Sequence, residues 1–309
     1  MNEHTNLSGL IERNLPKELV ALMQRVATLA ARRNQQLYLV GGVVRDLLLG
    51  LPNLDLDFVV EGDAIGLVKE FAEAVDGKLT IHPMFNTATV KLDKWKVDLA
   101  MARTETYAKP GALPTVKPGT LKTDLFRRDF TINAMAICLN PEHYGELIDL
   151  YGGRDDLRSK LIRILHEKSF VDDATRIWRA IRYEQRLGFK IEPKTLKLLK
   201  HDVTMLKTVG GYRLRRELEL VLKEKEPEKI LVRADRLGVL KELHPALKAD
   251  KWLVRKFQEA RESGKITPDT YLGLLTCRLN EDGITQITKY LRFSKEQMRI
   301  INEVRGIII

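Results

Sequence analysis

The stretch LVGGVVRDLLLGLPNLDLDFVV, residues 39–60, constrains the fold more than any other part of the chain. QLYLV before the glycines has the apolar run of a buried strand, broken by Gly41 and Gly42. VVRDLLLG reads as a short helix ended by Gly50, and Pro52 forbids its continuation. LDLDFVV then alternates with the strand period. On that strand Asp55 and Asp57 point the same way, while Leu54, Leu56 and Phe58 turn to the core. Two neighbouring carboxylates repel unless one is protonated or a divalent cation lies between them. Hard oxygen ligands suit Mg²⁺, which keeps waters and takes further ligands from phosphates. Asp98 in WKVDLAMA, on another expected strand, completes a candidate cluster. A D-x-D pair on an exposed strand face with no ligand is the alternative.

The glycine pair bears on that choice. GGVVRD between a strand and a helix leaves backbone N–H groups at a helix N-terminus, where anions bind. Gly42 permits close approach of a phosphate, and Arg45 adds a fixed positive fork. A tight turn with an Arg45–Asp46 ion pair is the structural alternative. The pattern is neither G-x-x-x-x-G-K-[ST] nor G-x-G-x-x-G. A phosphate cradle ahead of a paired-acid strand describes a nucleoside triphosphate held against a metal.

Around this stretch the first 150 residues read as mixed α/β. PKELVALMQRVATLAARRN is an amphipathic helix stopping at Asn34, and DAIGLVKEFAEAVDG is another, capped by Asp63. KLTIHP, TATVKL and KVDLAMAR are expected strands. From about Lys160 helical patterns dominate to the end of the chain. An α/β head followed by an all-helical body is the expected architecture. The closing VRGIII is apolar without a polar cap, the pattern expected of a longer protein cut short. Residues 102–126, with Pro110, Pro114 and Pro118, read as a long connection, either functional or a mobile surface loop.

Four motifs in order carry a family resemblance: GGVVRDLLLGLPNLDLDFVV, RRDFTINAMA at 127–136, DLYGGRDDLRSKLIR at 149–163 and DDATRIWRAIRYEQRLGF at 172–189. The chain resembles the class II (bacterial-type) tRNA nucleotidyltransferases and poly(A) polymerases, within the DNA polymerase β-like nucleotidyltransferases. The match spans most of residues 36–220. The resemblance implies a head over 1–150, base-recognising neck helices over 151–220, and a tRNA-binding helical body over 221–309.

It also implies a chemistry. Asp55 and Asp57 would bind two Mg²⁺ ions in an in-line displacement by an RNA 3′-hydroxyl. Asp98 would be the third catalytic carboxylate. Gly42, Arg45, Arg128 and Asp129 would contact the triphosphate and sugar, and Asn133 would contact the ribose or support the turn. Asp173 and Arg176 would read the base, assisted by Arg179 and Arg182, with Asp172-Asp173 standing where many members have Glu-Asp. A carboxylate accepts from cytosine N4 or adenine N6, and a guanidinium donates to the adjacent ring position. Guanine and uracil present the opposite pattern and leave both side chains unpaired. Arg213 and Glu217, four apart, are expected as a supporting ion pair.

The implied activity is template-independent addition of CMP, AMP or both from CTP and ATP to a tRNA 3′ end. The product is CCA, CC or the terminal A, with poly(A) synthesis as the alternative. A formal charge of +10 and a pI near 9.4 favour a polyanionic partner. Cys138 and Cys277 lie too far apart in sequence to suggest a disulfide framework or a zinc site. No apolar run approaches the roughly 20 residues of a membrane helix. The first residues are too polar for a secretory signal, so the cytoplasm is the expected compartment.

Overall fold

The computed structural model describes residues 5–83, 86–264 and 266–308, and the chain divides into two compact units. The first contains residues 1–106 and 114–165, and the second residues 107–113 and 166–309. The head therefore continues to Leu165, past the boundary expected near 150.

A seven-stranded sheet organises the first unit, in the order β3-β4-β5-β2-β1-β8-β9. These strands are β1 (Gln36–Val40), β2 (Leu56–Glu61), β3 (Lys78–His82), β4 (Thr87–Lys91), β5 (Lys96–Met101), β8 (Met135–Cys138) and β9 (Leu147–Asp149). Only β2 and β5 pair in parallel, in the register Asp57↔Asp98; the other neighbours are antiparallel. One face buries Leu37, Leu39, Leu56, Phe58, Val60, Val90, Val97 and Leu99. It packs on α2 (Lys17–Arg32) and α4 (Ala64–Ala74), whose N-cap Asp63 accepts from Gly66 N at 2.9 Å. At about 25 cal/mol per Å² of apolar surface, this face is what holds the strands in register.

The opposite face is covered at one end only. Tyr38, Val40, Val59, Ala136 and Cys138 form a second core with Leu121 and Leu125 of α5 (Leu121–Phe126). At the β3-β4-β5 end, Lys78, Thr80, His82, Lys91 and Lys96 remain exposed. Asp57 stands where the covered part meets the open part.

Residues 102–126 are more ordered than a long connection. β6 (Arg103–Thr106) pairs with β7 (Thr115–Pro118), and Thr120 begins α5 with a capping box. The three prolines that argued for a loop lie at the ribbon tip, beside it and at the end of β7, where no ladder donor is lost. The tip, residues 107–113, clusters with the second unit, where a Cβ on Gly111 would sit 2.2 Å from Thr208 O.

Among the described residues, the regular elements of the second unit are helices apart from the short extended pair Lys190–Ile191. Within the helical pattern expected from Lys160 onward, DDATRIWRAIRYEQRLG is not continuous helix: α7 (Ser169–Asp172) ends at its first residue and α8 (Thr175–Leu187) follows, with Asp173 extended between them at φ −143°, ψ 95°. Helix α8 buries Trp178, Ile177, Ala180 and Ile181 and packs on α10 (Gly211–Leu222) and α11 (Pro227–Arg236). Cys138 and Cys277 are both free thiols, buried in separate units. Among the described residues no helix is long and apolar enough to cross a membrane.

Candidate active site

Strand β1 ends at Val40, and the chain turns into α3 (Gly42–Leu49) through Gly41 at φ +78°. This left-handed conformation is strained for any residue with a Cβ. An added methyl there would also lie 2.9 Å from Arg128 Nη1. Gly41, more than the Gly42 singled out from sequence, is thus the position that demands glycine. The unpaired amides of the first turn of α3 follow it.

Arg45 does not project as a phosphate fork. It is 2% exposed, and its Nε and Nη2 each donate to Asp46 at 2.8 Å, while Nη1 donates to Asn133 Oδ1 at 2.6 Å. The structural ion pair that the sequence left open is the arrangement found, because a buried guanidinium needs a carboxylate beside it. The contacts continue on both sides. Asn133 Nδ2 donates to Asp129 Oδ1 at 3.0 Å, and Asn53 Nδ2 donates to Asp46 Oδ2 at 2.7 Å. Asn53 Oδ1 then accepts from the backbone N of Asp55 at 2.9 Å. One polar relay therefore joins RRDFTIN to the paired-acid strand. Asn53 is a member that sequence reasoning missed.

Asp55 lies just before β2 and Leu54 is exposed, so the inward alternation begins only at Leu56. A cavity of about 330 Å³ is lined by Asp57, Asp98, His82, Thr89, Arg127 and Arg128, among others. Asp98 is held by Thr89 Oγ1, which donates to Oδ1 at 2.5 Å, and by Lys96 Nζ on Oδ2. Asp98 raises the pKa of that ammonium. Asp57 is pushed up to about 6, first by loss of solvation, then by Asp98 and Asp55, against the opposing pull of Arg128 and Lys96. Its carboxyl tip still reaches solvent, as a ligand site requires.

Arg128 is fixed by an acid absent from the expected site. Asp124 is fully buried, accepting from Arg128 Nη2 at 2.9 Å and from Arg127 Nη2 and Nε at 2.7 and 3.0 Å. Burial alone would raise the pKa of Asp124, but Arg128 and Arg127 outweigh it and hold it below the usual carboxylate range. The signal lay in the spacing, an acid three and four residues ahead of paired arginines on a short helix. Arg128 Nε is buried with no hydrogen-bond partner among the described residues, a donor suited to an incoming anion.

Carboxylates crowded enough to raise one pKa are the donor chemistry of a hard divalent cation. Asp55 and Asp57 would hold it. Among the described residues no three ligating side chains converge on one point, since Asp98 is turned to Lys96 and Thr89.

In the second unit, Asp173 accepts from Thr175 N and Oγ1 at 3.1 and 2.7 Å. Arg213 Nη2 reaches both its oxygens at 2.9 and 2.8 Å. Arg213 is therefore turned to Asp173, forty positions away, and not along its own helix as the i,i+4 spacing with Glu217 suggested. The arginine row is largely sunk into the unit. Arg176 is 5% exposed with Nη1 on Ser169 Oγ at 2.7 Å. Arg182 is 6% exposed and pairs with Glu224 at 3.3 Å. Arg179 and Arg182 lie 5.7 and 5.1 Å from the centroid of the Tyr183 ring. Polar groups locked in this way keep their direction without a ligand.

Residues 37–163 match the poly A polymerase head domain, and residues 188–251 match the probable RNA and SrmB-binding site of polymerase A. An A-adding tRNA nucleotidyltransferase of Geobacter sulfurreducens is 48% identical over 241 residues, which are 77% of this chain and 27% of that protein. The chain thus spans about a quarter of the length of that relative. The structure of a CCA-adding enzyme, apo form II, superposes with a TM-score of 0.88 at 38% identity, covering 100% of this chain and 75% of the other. The Thermotoga maritima CCA-adding enzyme complexed with tRNA gives 0.85 at 36%, covering 100% and 74%. In these neighbours, as here, an α/β nucleotidyltransferase head of the DNA polymerase β type precedes helices. The chain belongs to the tRNA nucleotidyltransferase and poly(A) polymerase family, which generally works with a divalent metal.

Proposed function

We propose that the chain carries an RNA nucleotidyltransferase that adds CMP, AMP or both from CTP and ATP to the 3′ end of tRNA without a nucleic-acid template. The observation that carries this is the register Asp57↔Asp98 beside Arg128 in one cavity, with Asp55 two residues earlier, at the entry to the same strand. In this reading Asp55 and Asp57 hold Mg²⁺, with Asp98 beside them. Bound there, the cation lowers the proton affinity of the attacking 3′-hydroxyl and balances the charge on the leaving pyrophosphate.

The chain's own residues do the rest. The first turn of α3 and the Arg128 guanidinium receive the triphosphate, and the Gly41 turn makes room for it. Arg45 acts one contact back, tying Asp46 and Asn53 to Asn133 and Asp129, so that Asp55 and the sugar-side residues keep a fixed separation. Asp173, oriented by Thr175 and Arg213, accepts from the exocyclic amine of cytosine or adenine, and Arg176 donates beside it, with Arg179 and Arg182 flanking. Residues 151–220 serve as the base-reading neck and 221–309 as the arm that holds tRNA, with the cytoplasm as the compartment.

The test offers tRNAs ending before the tail, after C and after CC, each with a single NTP and Mg²⁺, and sequences the products. Extension confined to CTP and ATP, and absent from Asp55→Ala with tRNA affinity kept, is the expected result. Long A tracts on unrelated RNA would assign poly(A) synthesis instead. Transcripts bound but never extended would overturn the enzyme reading.

A further inference from the structure

Sheet register places side chains of the head in rows on its open face. Lys78 lies directly across from Lys91, and Lys91 directly across from Lys96. The Asp57↔Asp98 register puts Asp55 level with Lys96. The next row holds Thr80, Thr89, Asp98 and Asp57. Directly opposed residues share a face, so three lysines line up across three strands toward Asp55. Like charges in opposed positions weaken a sheet. Lys96 is neutralised by Asp98. Lys78 and Lys91 are exposed and have no ion-pair partner among the described residues. At about 4.8 Å per strand, Lys78 lies about 14 Å from Asp55. Around the sheet edge, on the side of α2, Arg25, Lys94 and Trp95 share a cavity of about 870 Å³ with Lys78 and Lys91. Glu18, Asp76 and Asp93 offset part of that charge.

We propose that the Lys96–Lys91–Lys78 row is a track for the phosphate backbone of the RNA strand being extended, running from Asp55 to the edge of the sheet. The proposal rests on the reading of the head as an RNA nucleotidyltransferase. A triphosphate seated at Asp55 and Asp57 reaches the nearest lysine, whereas cations two and three strands away need a polymer. This accounts for an unfavourable cross-strand arrangement that folding alone does not reward.

The test measures binding without chemistry. Fluorescein-labelled tRNA lacking its terminal nucleotides is titrated into the full chain, without NTP, across a salt series. Lys91→Glu turns the row into alternating charges, so the melting temperature should hold or rise while Kd weakens about tenfold, one charge-assisted contact having become a repulsion. Lys78→Gln/Lys91→Gln should lower the slope of log K against log salt by about 1.4, at about 0.7 per phosphate contact of a single strand. Unchanged Kd and slope in both variants would overturn the track. A raised KM for NTP with unchanged tRNA affinity would also overturn it and assign the lysines to the triphosphate. A chain that binds tRNA through these lysines yet extends nothing would refute the proposed activity and leave the track standing.

Discussion

Replacing Asp124 by Asn tests how the head holds Arg128. The carboxylate is fully buried and accepts three hydrogen bonds from two guanidinium groups, Arg127 and Arg128. Breaking a buried ion pair from one side costs about 3–5 kcal/mol, because a charge is left without its partner. Two features reduce that here. The arginine side chains are 20% and 17% exposed and keep part of their hydration, and Arg127 retains Glu105 at 3.0 Å. The loss should be about 2–3 kcal/mol at pH 7, read as a fall in the urea midpoint by circular dichroism. The carboxyl pKa is lowered in the fold, so its contribution is complete above the unfolded value of about 3.9 and disappears as pH falls through the folded one. The wild-type and Asp124→Asn curves should therefore converge in acid. Arg128, freed from its anchor, should also raise the KM for NTP more than it lowers kcat. A stability change below about 0.5 kcal/mol, within the range of ordinary surface substitutions, would show that Asp124 does not anchor the arginines.

Three other perturbations probe separate parts of the site. Gly41→Ala forces a side chain into φ +78° and against Arg128 Nη1, and should cost about 1–2 kcal/mol with a higher KM for NTP; calorimetry and initial rates check both. Arg213→Ala removes the partner of Asp173, and with both groups partly hydrated should cost about 1 kcal/mol or less while relaxing C and A discrimination; unchanged discrimination in single-NTP assays would refute the orienting role. Metal-free Asp57 should titrate near 6 by carboxyl ¹³C shift. Because its folded pKa is raised above the unfolded value of about 3.9, acidification through that window should favour the folded head, and a divalent cation should displace the proton and lower the midpoint.

The sequence alone placed the first turn. GGVVRD between an apolar run and LDLDFVV left little room for anything but strand, tight turn, helix and strand, and the acids fell on the open face because the strand period is two. Local spacing also held the Asp124 signal, which was there to be read. Tertiary packing decided the remainder. Arg45 looked available for phosphate until its burial on α3 required a partner, and its neighbour Asp46 supplied one. Asp173 looked like the first residue of a helical row, yet it sits in an extended break, held by an arginine from α10. No local rule links positions forty apart, because that contact exists only after α8 and α10 have packed. The lysine row has the same origin. Lys78, Lys91 and Lys96 are unremarkable along the chain and become one cationic line only when strand pairing fixes their register.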